Sequence, residues 1–119
     1  MTGHDEVADQ LVGWGTVALL RTRGRVSGRE AEAAVGYVEV DDGSILVAAG
    51  GPASDWALNL AADPRCTVII GATKRACIAE PLDGAGHARA VRDLILRYGT
   101  PAERLGAGPA FRLRPVQTN

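Results

Sequence analysis

Apolar residues recur at two kinds of spacing along the chain, and the spacing separates helices from strands. Helical spacing in residues 4–14 and 84–98 predicts a short opening helix and a longer amphipathic one. Ser54 is a suitable N-cap for another short helix, which the Asp63-Pro64 pair stops. Apolar runs predict strands at residues 16–22, 31–40, 44–49, 65–70, 73–80 and 110–116.

The order of these elements, α-βββ-α-ββ-α-β, indicates the fold class. Short strands, tight turns and few crossover helices favour an antiparallel barrel over a doubly wound sheet. We therefore expect a mainly β fold with short helices, and the length of 119 residues predicts a single domain over residues 1–119. With two Trp, two Tyr and one Phe, the core must be largely aliphatic. Because a chain this small buries less of its surface than a larger domain, a homodimer is favoured.

Two turns set the expected pairing of neighbouring strands. Asp41-Asp42-Gly43 is typical of a hairpin turn. A two-residue loop at Gly71-Ala72 would place Cys66 opposite Cys77, at a separation that a disulfide can span. In an intracellular protein such a pair also serves as two small apolar residues. No CxxC pair is present, and the sequence predicts no metal site.

Charge and hydropathy exclude several classes of protein. Thirteen Lys and Arg against fourteen Asp and Glu leave a net charge of −1, without the basic excess of a dedicated nucleic-acid binder. No run approaches the length of a transmembrane helix, and the polar, acidic first ten residues do not resemble a secretory signal. The cytoplasm is the expected compartment.

Common nucleotide-binding and hydrolase motifs are absent, but two segments carry candidate chemistry. No GxGxxG, GxxxxGK[ST], GxSxG or HExxH occurs. Residues 24–30 (GRVSGRE) combine glycine amides with guanidiniums that can hold an anion, although a solvated turn needs the same residues. Trp56 follows a Gly-Gly-Pro bend, where its indole is either a core anchor or a stacking face for a flat ligand.

Three segments resemble, in order, motifs of the deazaflavin (F420)-dependent nitroreductase family of the split β-barrel flavin-binding superfamily. LRTRGRVSGR at residues 20–29 is similar to its L-x-T-x-G-R-x-S-G-x opening, and AVGYV at 34–38 to its P-L-x-Y strand. WALNLAADPRCTV at residues 56–68 resembles its W-x-x-N-L-x-A-x-P-x-x-x-V segment. The resemblance implies a split antiparallel β-barrel that binds F420, with FMN as a less expected cofactor. Members transfer hydride from reduced F420 to nitro, quinone or enone-type small molecules.

The matching positions imply a cofactor site in three parts. Around the phosphate and the anionic tail, the resemblance places Gly24, Arg25, Ser27 and Gly28. The neighbouring Arg23 and Arg29 do not belong to the family pattern, but as basic residues they are candidate replacements for tail contacts that this chain lacks. Beside the deazaflavin ring it places the backbone of Ala48, Ala49 and Gly50, and behind the ring the helical Trp56 and Asn59. Tyr37 is a candidate proton donor. The expected partners are a small hydrophobic substrate and a second copy of the chain.

Departures from the family pattern keep two further functions open. Val26 and Ala31 stand where members usually carry basic residues, and the loop after the third predicted strand is short and has no lysine. Loss of these charges would weaken binding of a polyanionic tail. One alternative is therefore a cofactor-free enzyme on the same barrel that carries out proton-transfer chemistry, such as cyclisation or isomerisation, on a polyketide-like intermediate. The candidate residues for this chemistry are Asp55, Glu32, Tyr37 or Arg25. The other is a non-catalytic flavin- or haem-binding protein.

Overall fold

The computed structural model describes residues 17–51, 54–98 and 108–116. The predicted opening helix at residues 4–14 lies outside the described residues. The strands are β1 (Ala18–Arg23), β2 (Glu30–Val35), β3 (Val38–Glu39), β4 (Ile45–Ala48), β5 (Arg65–Ile70), β6 (Thr73–Leu82) and β7 (Ala110–Pro115). The helices are α1 (Asp55–Ala62) and α2 (Gly84–Tyr98).

The described strands form one antiparallel sheet that curls into a split barrel. The strand order is β2-β1-β5-β6-β7-β4-β3, so β2 and β3 are the two edges. Only Gly36 and Tyr37 connect these edge strands. Because neighbouring strands lie about 4.8 Å apart, two residues cannot cross a flat sheet of this width, and the edges must adjoin. The predicted split antiparallel β-barrel is confirmed.

Apolar side chains from both faces of the sheet are buried, each face under a different cover. The barrel interior contains Leu20, Val68 and Leu113, and α1 adds Leu60 to this cluster. On the outer face, α2 packs against β4 and β7 and buries Leu94. The alternation of side chains along each strand therefore supplies two cores, one inside the barrel and one beneath α2.

The hairpin between β5 and β6 has the predicted register. Gly71 takes a φ of 58°, as the tight turn requires, and Cys66 lies opposite Cys77. Both thiols are free, and Cys66 Sγ lies 3.7 Å from the carbonyl oxygen of Cys77. Burial, followed by the neighbouring Cys77 thiol, raises the pKa of Cys66 to about 12. Cys66 is thus a neutral, small apolar residue of the barrel interior.

The single strand predicted over residues 31–40 is wrong, since the chain breaks there into β2 and β3. A Cβ at Gly36 would lie 3.1 Å from Cε2 of Tyr98, so the ring of Tyr98 packs closely on this backbone. The Tyr98 hydroxyl accepts a hydrogen bond from the Tyr37 N–H (3.0 Å) and donates one to the Tyr37 carbonyl (3.2 Å). These contacts come from a residue far along the chain, which a local hydrophobic pattern cannot reveal.

Candidate functional site

The loop between β1 and β2, residues 24–29, is closed by its own hydrogen bonds. The Gly24 N–H donates to the Arg29 carbonyl (2.7 Å), and the Gly28 N–H donates to the Gly24 carbonyl (2.8 Å). The Arg29 N–H donates to Ser27 Oγ (3.1 Å). A Cβ at Gly24 would lie 2.8 Å from that same Oγ, and Gly28 has a φ of 74°, so both glycines are required. Since these amides already have partners, binding of an anion here depends mainly on side chains.

The same loop is tied to α1 through Arg25. The backbone N–H and Nη1 of Arg25 both donate to Oδ1 of Asn59, at 3.1 and 2.8 Å. Nη2 donates to Oδ1 of Asp55 at 3.2 Å. Nδ2 of the buried Asn59 in turn donates to Oγ1 of Thr22 at 3.1 Å. Two segments that the sequence separates, the Gly-Arg loop and the Trp-x-x-Asn helix, therefore meet in one place.

A groove of about 480 Å³ is lined by residues of β1, β5 and β6. Arg21, Arg23 and Arg65 line it together with the carboxylates of Glu30 and Asp63. The lining carries three guanidiniums and two carboxylates, and Arg21 is also paired with Glu32 from outside the lining. The guanidinium N–H groups supply donors for an anionic ligand. Gly28 of the loop lies at its edge.

Asp63 organises the cations of the groove, and neither it nor Arg65 was among the predicted site residues. Its Oδ1 accepts hydrogen bonds from N–H and Nε of Arg65 at 3.1 and 3.0 Å, and its Oδ2 lies 2.9 Å from Nη2 of Arg65 and 3.7 Å from Nε of Arg23. The hydrogen bonds from Arg65 lower the pKa of Asp63 to about 2. The Asp-Pro-Arg spacing is a signal for the local turn. That the turn faces Arg23 depends on the pairing of β1 with β5, which the sequence does not reveal.

The three positions predicted to lie beside the ring, Ala48, Ala49 and Gly50, differ in their accessibility. The Ala48 side chain packs beneath α2, and the Ala49 N–H donates to the carbonyl of Pro109 (2.8 Å), so neither group is open to a ligand. Gly50 and Gly51 are different, because a Cβ at either would meet no atom within 4 Å in the part of the chain that the structure describes. The space beside the Cα atoms of Gly50 and Gly51 is thus unobstructed among the described residues, while the Gly51 carbonyl lies against Gly108.

Trp56 is a core anchor whose side chain is only half-buried. Its ring centroid lies 6.1 Å from that of Phe111, and it packs against the barrel interior while remaining half-buried. The Ser54 N–H, just before α1, lies 3.4 Å from the Gly51 carbonyl. The open glycine pair and the helix that carries Trp56 are therefore adjacent.

The three candidate acid–base residues lie in separate places. Glu32 is on the outer face of β2, where its Oε1 lies 3.2 Å from Nε of Arg21. Tyr37 is buried in the barrel interior, and the Arg97 guanidinium lies 4.5 Å from the centroid of its ring. Asp55 is on the surface of α1, with 87% of its side chain exposed and Arg25 as its partner. The structure does not bring these three groups together into one acid–base cluster.

Solved structures with the same architecture define the class of fold. An F420-H2-dependent reductase, FDR-A, superposes with a TM-score of 0.71 at 23% identity, over 83% of this chain and 94% of that one. HutZ, a haem storage protein from Vibrio cholerae, has a TM-score of 0.71 at 15% identity, over 96% and 91% of the two chains. A domain-swapped dimer has a TM-score of 0.68 at 20% identity, over 92% and 95%. Among curated proteins, no relative matches the chain.

A family model identifies the chain more closely. Residues 2–103 match the F420H(2)-dependent quinone reductase model, and the chain belongs to that family. The F420 cofactor implied by the sequence motifs is thereby confirmed, whereas membership of the nitroreductase subgroup stays a prediction. None of the described helices combines the length and apolar character needed to span a membrane.

The residues around the groove fit an anionic cofactor. Arg23 and Arg65 bring cationic groups to its lining, and the exposed Arg29 side chain has no hydrogen-bond or ion-pair partner among the described residues. A phosphate and carboxylates on a tail are the groups that guanidiniums bind best. This chain has Val26 and Ala31 where members of the family usually carry basic residues, and Arg23, Arg29 and Arg65 are the arginines near the groove.

Proposed function

We propose that this protein is an oxidoreductase that uses F420 to reduce a small, apolar quinone, nitro or enone-type acceptor. The observation that carries the proposal is the junction at residues 24–29. Through Gly28 this loop lines a groove that contains three arginines, and through Arg25 it bonds the helix that carries Trp56. An anionic tail and a flat ring, joined in one molecule, need this combination of neighbouring surfaces.

Three arginines would bind the anionic tail of the cofactor. Arg23 and Arg65 are held near each other by Asp63, and Arg29 is exposed beside Gly28. Each charge-assisted hydrogen bond contributes about 1.5–3 kcal/mol, so two or three of them support micromolar binding together with ring contacts. Asp63 limits the net charge of the groove while orienting two of the guanidiniums.

The open glycine pair and Trp56 would receive the ring and the acceptor. Gly50 and Gly51 allow a planar group to approach the backbone, and the half-buried indole of Trp56 offers an apolar wall beside it. When bound, reduced F420 supplies the hydride for the reaction. The protein's contribution is to hold both partners in place and exclude water, since positioning accounts for much of the rate in such reactions.

The proposal is tested by titrating the purified protein with F420, followed by fluorescence, with FMN as the parallel control. We expect saturable binding of F420 in the micromolar range and oxidation of reduced F420 by a naphthoquinone. Arg65→Ala should raise the Kd for F420 at least tenfold, because it removes a charge-assisted contact. Arg92→Ala, a charge removed from the exposed face of α2, should leave Kd unchanged. Absence of F420 binding would refute the proposal.

We also propose that the protein is a homodimer of single-domain chains. A structure of similar fold is a domain-swapped dimer, and β1 and β5 carry the half-buried apolar side chains Leu19 and Ile69. Burial of these residues against a second copy would extend the small core. Sedimentation at micromolar concentration should give twice the chain mass. A monomer of 12.4 kDa at all concentrations would contradict this.

A further inference from the structure

Arg25 has more hydrogen bonds than any other side chain of the loop at residues 24–29. Nη1 donates to Asn59 Oδ1 at 2.8 Å and lies 3.4 Å from the Asp55 carbonyl oxygen, and Nη2 donates to Asp55 Oδ1 at 3.2 Å. All these acceptors belong to α1. The planar fork of the guanidinium is therefore directed at the first turns of the helix, and two of its three nitrogens are engaged there.

Asn59 links Arg25 to strand β1 of the barrel. Its side chain is 3% exposed, and Oδ1 also accepts the Arg25 backbone N–H at 3.1 Å. Nδ2 donates to Oγ1 of Thr22, a β1 residue that is itself 3% exposed. A buried amide with all of its partners in the protein holds one geometry, because any displacement leaves polar groups unsatisfied.

The sequence motif implies that Arg25 contacts the cofactor phosphate, but the geometry points to a different role. We propose that Arg25 is a positioning residue: it fastens the loop to α1 through Asn59 and so places Arg23 and Arg29, at the two ends of the loop, beside the groove. This inference rests on the proposed F420-binding function.

Arg29 is the matched control for Arg25. Both are arginines of the same short loop, but the Arg29 side chain has no partner among the residues that the structure describes. A direct ligand contributes to the salt dependence of binding, since its contact with an anion is screened by ions. A positioning residue affects affinity through preorganisation and leaves the salt dependence unchanged.

The first experiment measures the Kd for F420 over a series of salt concentrations for wild type and three variants. We expect Arg29→Ala to raise Kd and to flatten its dependence on salt. Arg25→Ala should raise Kd roughly tenfold with the wild-type salt dependence, and Arg25→Lys should fail to restore affinity, because an ammonium lacks the fork. Rescue by lysine, or flattening like that of Arg29→Ala, would show a direct contact and overturn the inference. An unchanged Kd in Arg25→Ala would overturn it as well.

The second experiment needs no cofactor and separates failure of the inference from failure of the proposed function. Hydrogen exchange of the Gly24 and Gly28 amides should become at least tenfold faster in Arg25→Ala and in Asn59→Ala, and no faster still in the double variant. Arg29→Ala should retain wild-type exchange. If wild type does not bind F420, the proposed function fails, whereas unchanged exchange in Arg25→Ala refutes the fastening of the loop.

Discussion

Removing the hydroxyl of Tyr98 should weaken the closure of the barrel. In Tyr98→Phe the ring that packs on Gly36 remains, but the bonds to the Tyr37 N–H (3.0 Å) and carbonyl (3.2 Å) are lost. Loss of two hydrogen bonds to a part-buried backbone segment costs about 1–3 kcal/mol. We expect the free energy of unfolding to fall by about 2 kcal/mol, which for a domain of this size lowers Tm by roughly 8 °C.

The assay is equilibrium unfolding in urea, followed by tryptophan fluorescence. The midpoint should fall while the m value stays constant, because the surface exposed on unfolding is nearly the same. Arg97→Gln is the control: it removes the cation above the Tyr37 ring, 4.5 Å from the centroid, and leaves the Tyr98 hydroxyl in place. Its cost should be smaller, about 0.5–1 kcal/mol. A loss below about 0.5 kcal/mol in Tyr98→Phe would refute the assignment of the edge closure to this hydroxyl.

Three other predictions concern acid stability, alkaline stability and close packing. Hydrogen bonds from Arg65 lower the pKa of Asp63 from 3.8 to about 2. The ionised Asp63 carboxylate therefore stabilises the fold fully above pH 3.8, and this stabilisation is lost as the pH falls to about 2. Asp63→Asn should lack this component in urea titrations at acid pH, and an acid dependence identical to wild type would contradict it. Burial raises the pKa of Cys66 from 9.0 to about 12, so the stability contributed by the neutral thiol is lost as the pH rises through this interval. Cys66→Ala should therefore lose stability less steeply at alkaline pH, and an equally steep loss would contradict this. Gly36→Ala should destabilise by about 1–2 kcal/mol through contact with the Tyr98 ring, and combination with Tyr98→Leu should relieve the strain; additive losses would argue against the contact.

Local sequence signals predicted the parts of the fold that depend on near neighbours. The β5–β6 register follows from the two-residue turn at Gly71-Ala72, and α2 has the predicted bounds because its apolar stripe is regular. The break between β2 and β3 was missed because its cause, the ring of Tyr98, lies 61 residues from Tyr37. The apolar pattern of residues 31–40 alone therefore predicts one continuous strand.

The sequence predicted several residues of the candidate site, but not the hydrogen bonds and ion pairs between them. Residue motifs placed Arg25 and Asn59 in the same site, but only the folded chain shows that they bond each other. Arg65 was not predicted to belong to the site, because its approach to Arg23 depends on which strand pairs with β1. A single sequence does not show which distant strands pair with each other.

The position of β7 in the sheet has a consequence for folding during synthesis of the chain. Strand β7 lies between β6 and β4, so residues 110–115 pair with both neighbours near the middle of the sheet. Until these residues emerge from the exit tunnel, β4 and β6 each present an unpaired edge, and Phe111 and Leu113 are missing from the interior. A chain that ends before residue 110 would therefore expose two unpaired strand edges, and such edges favour aggregation.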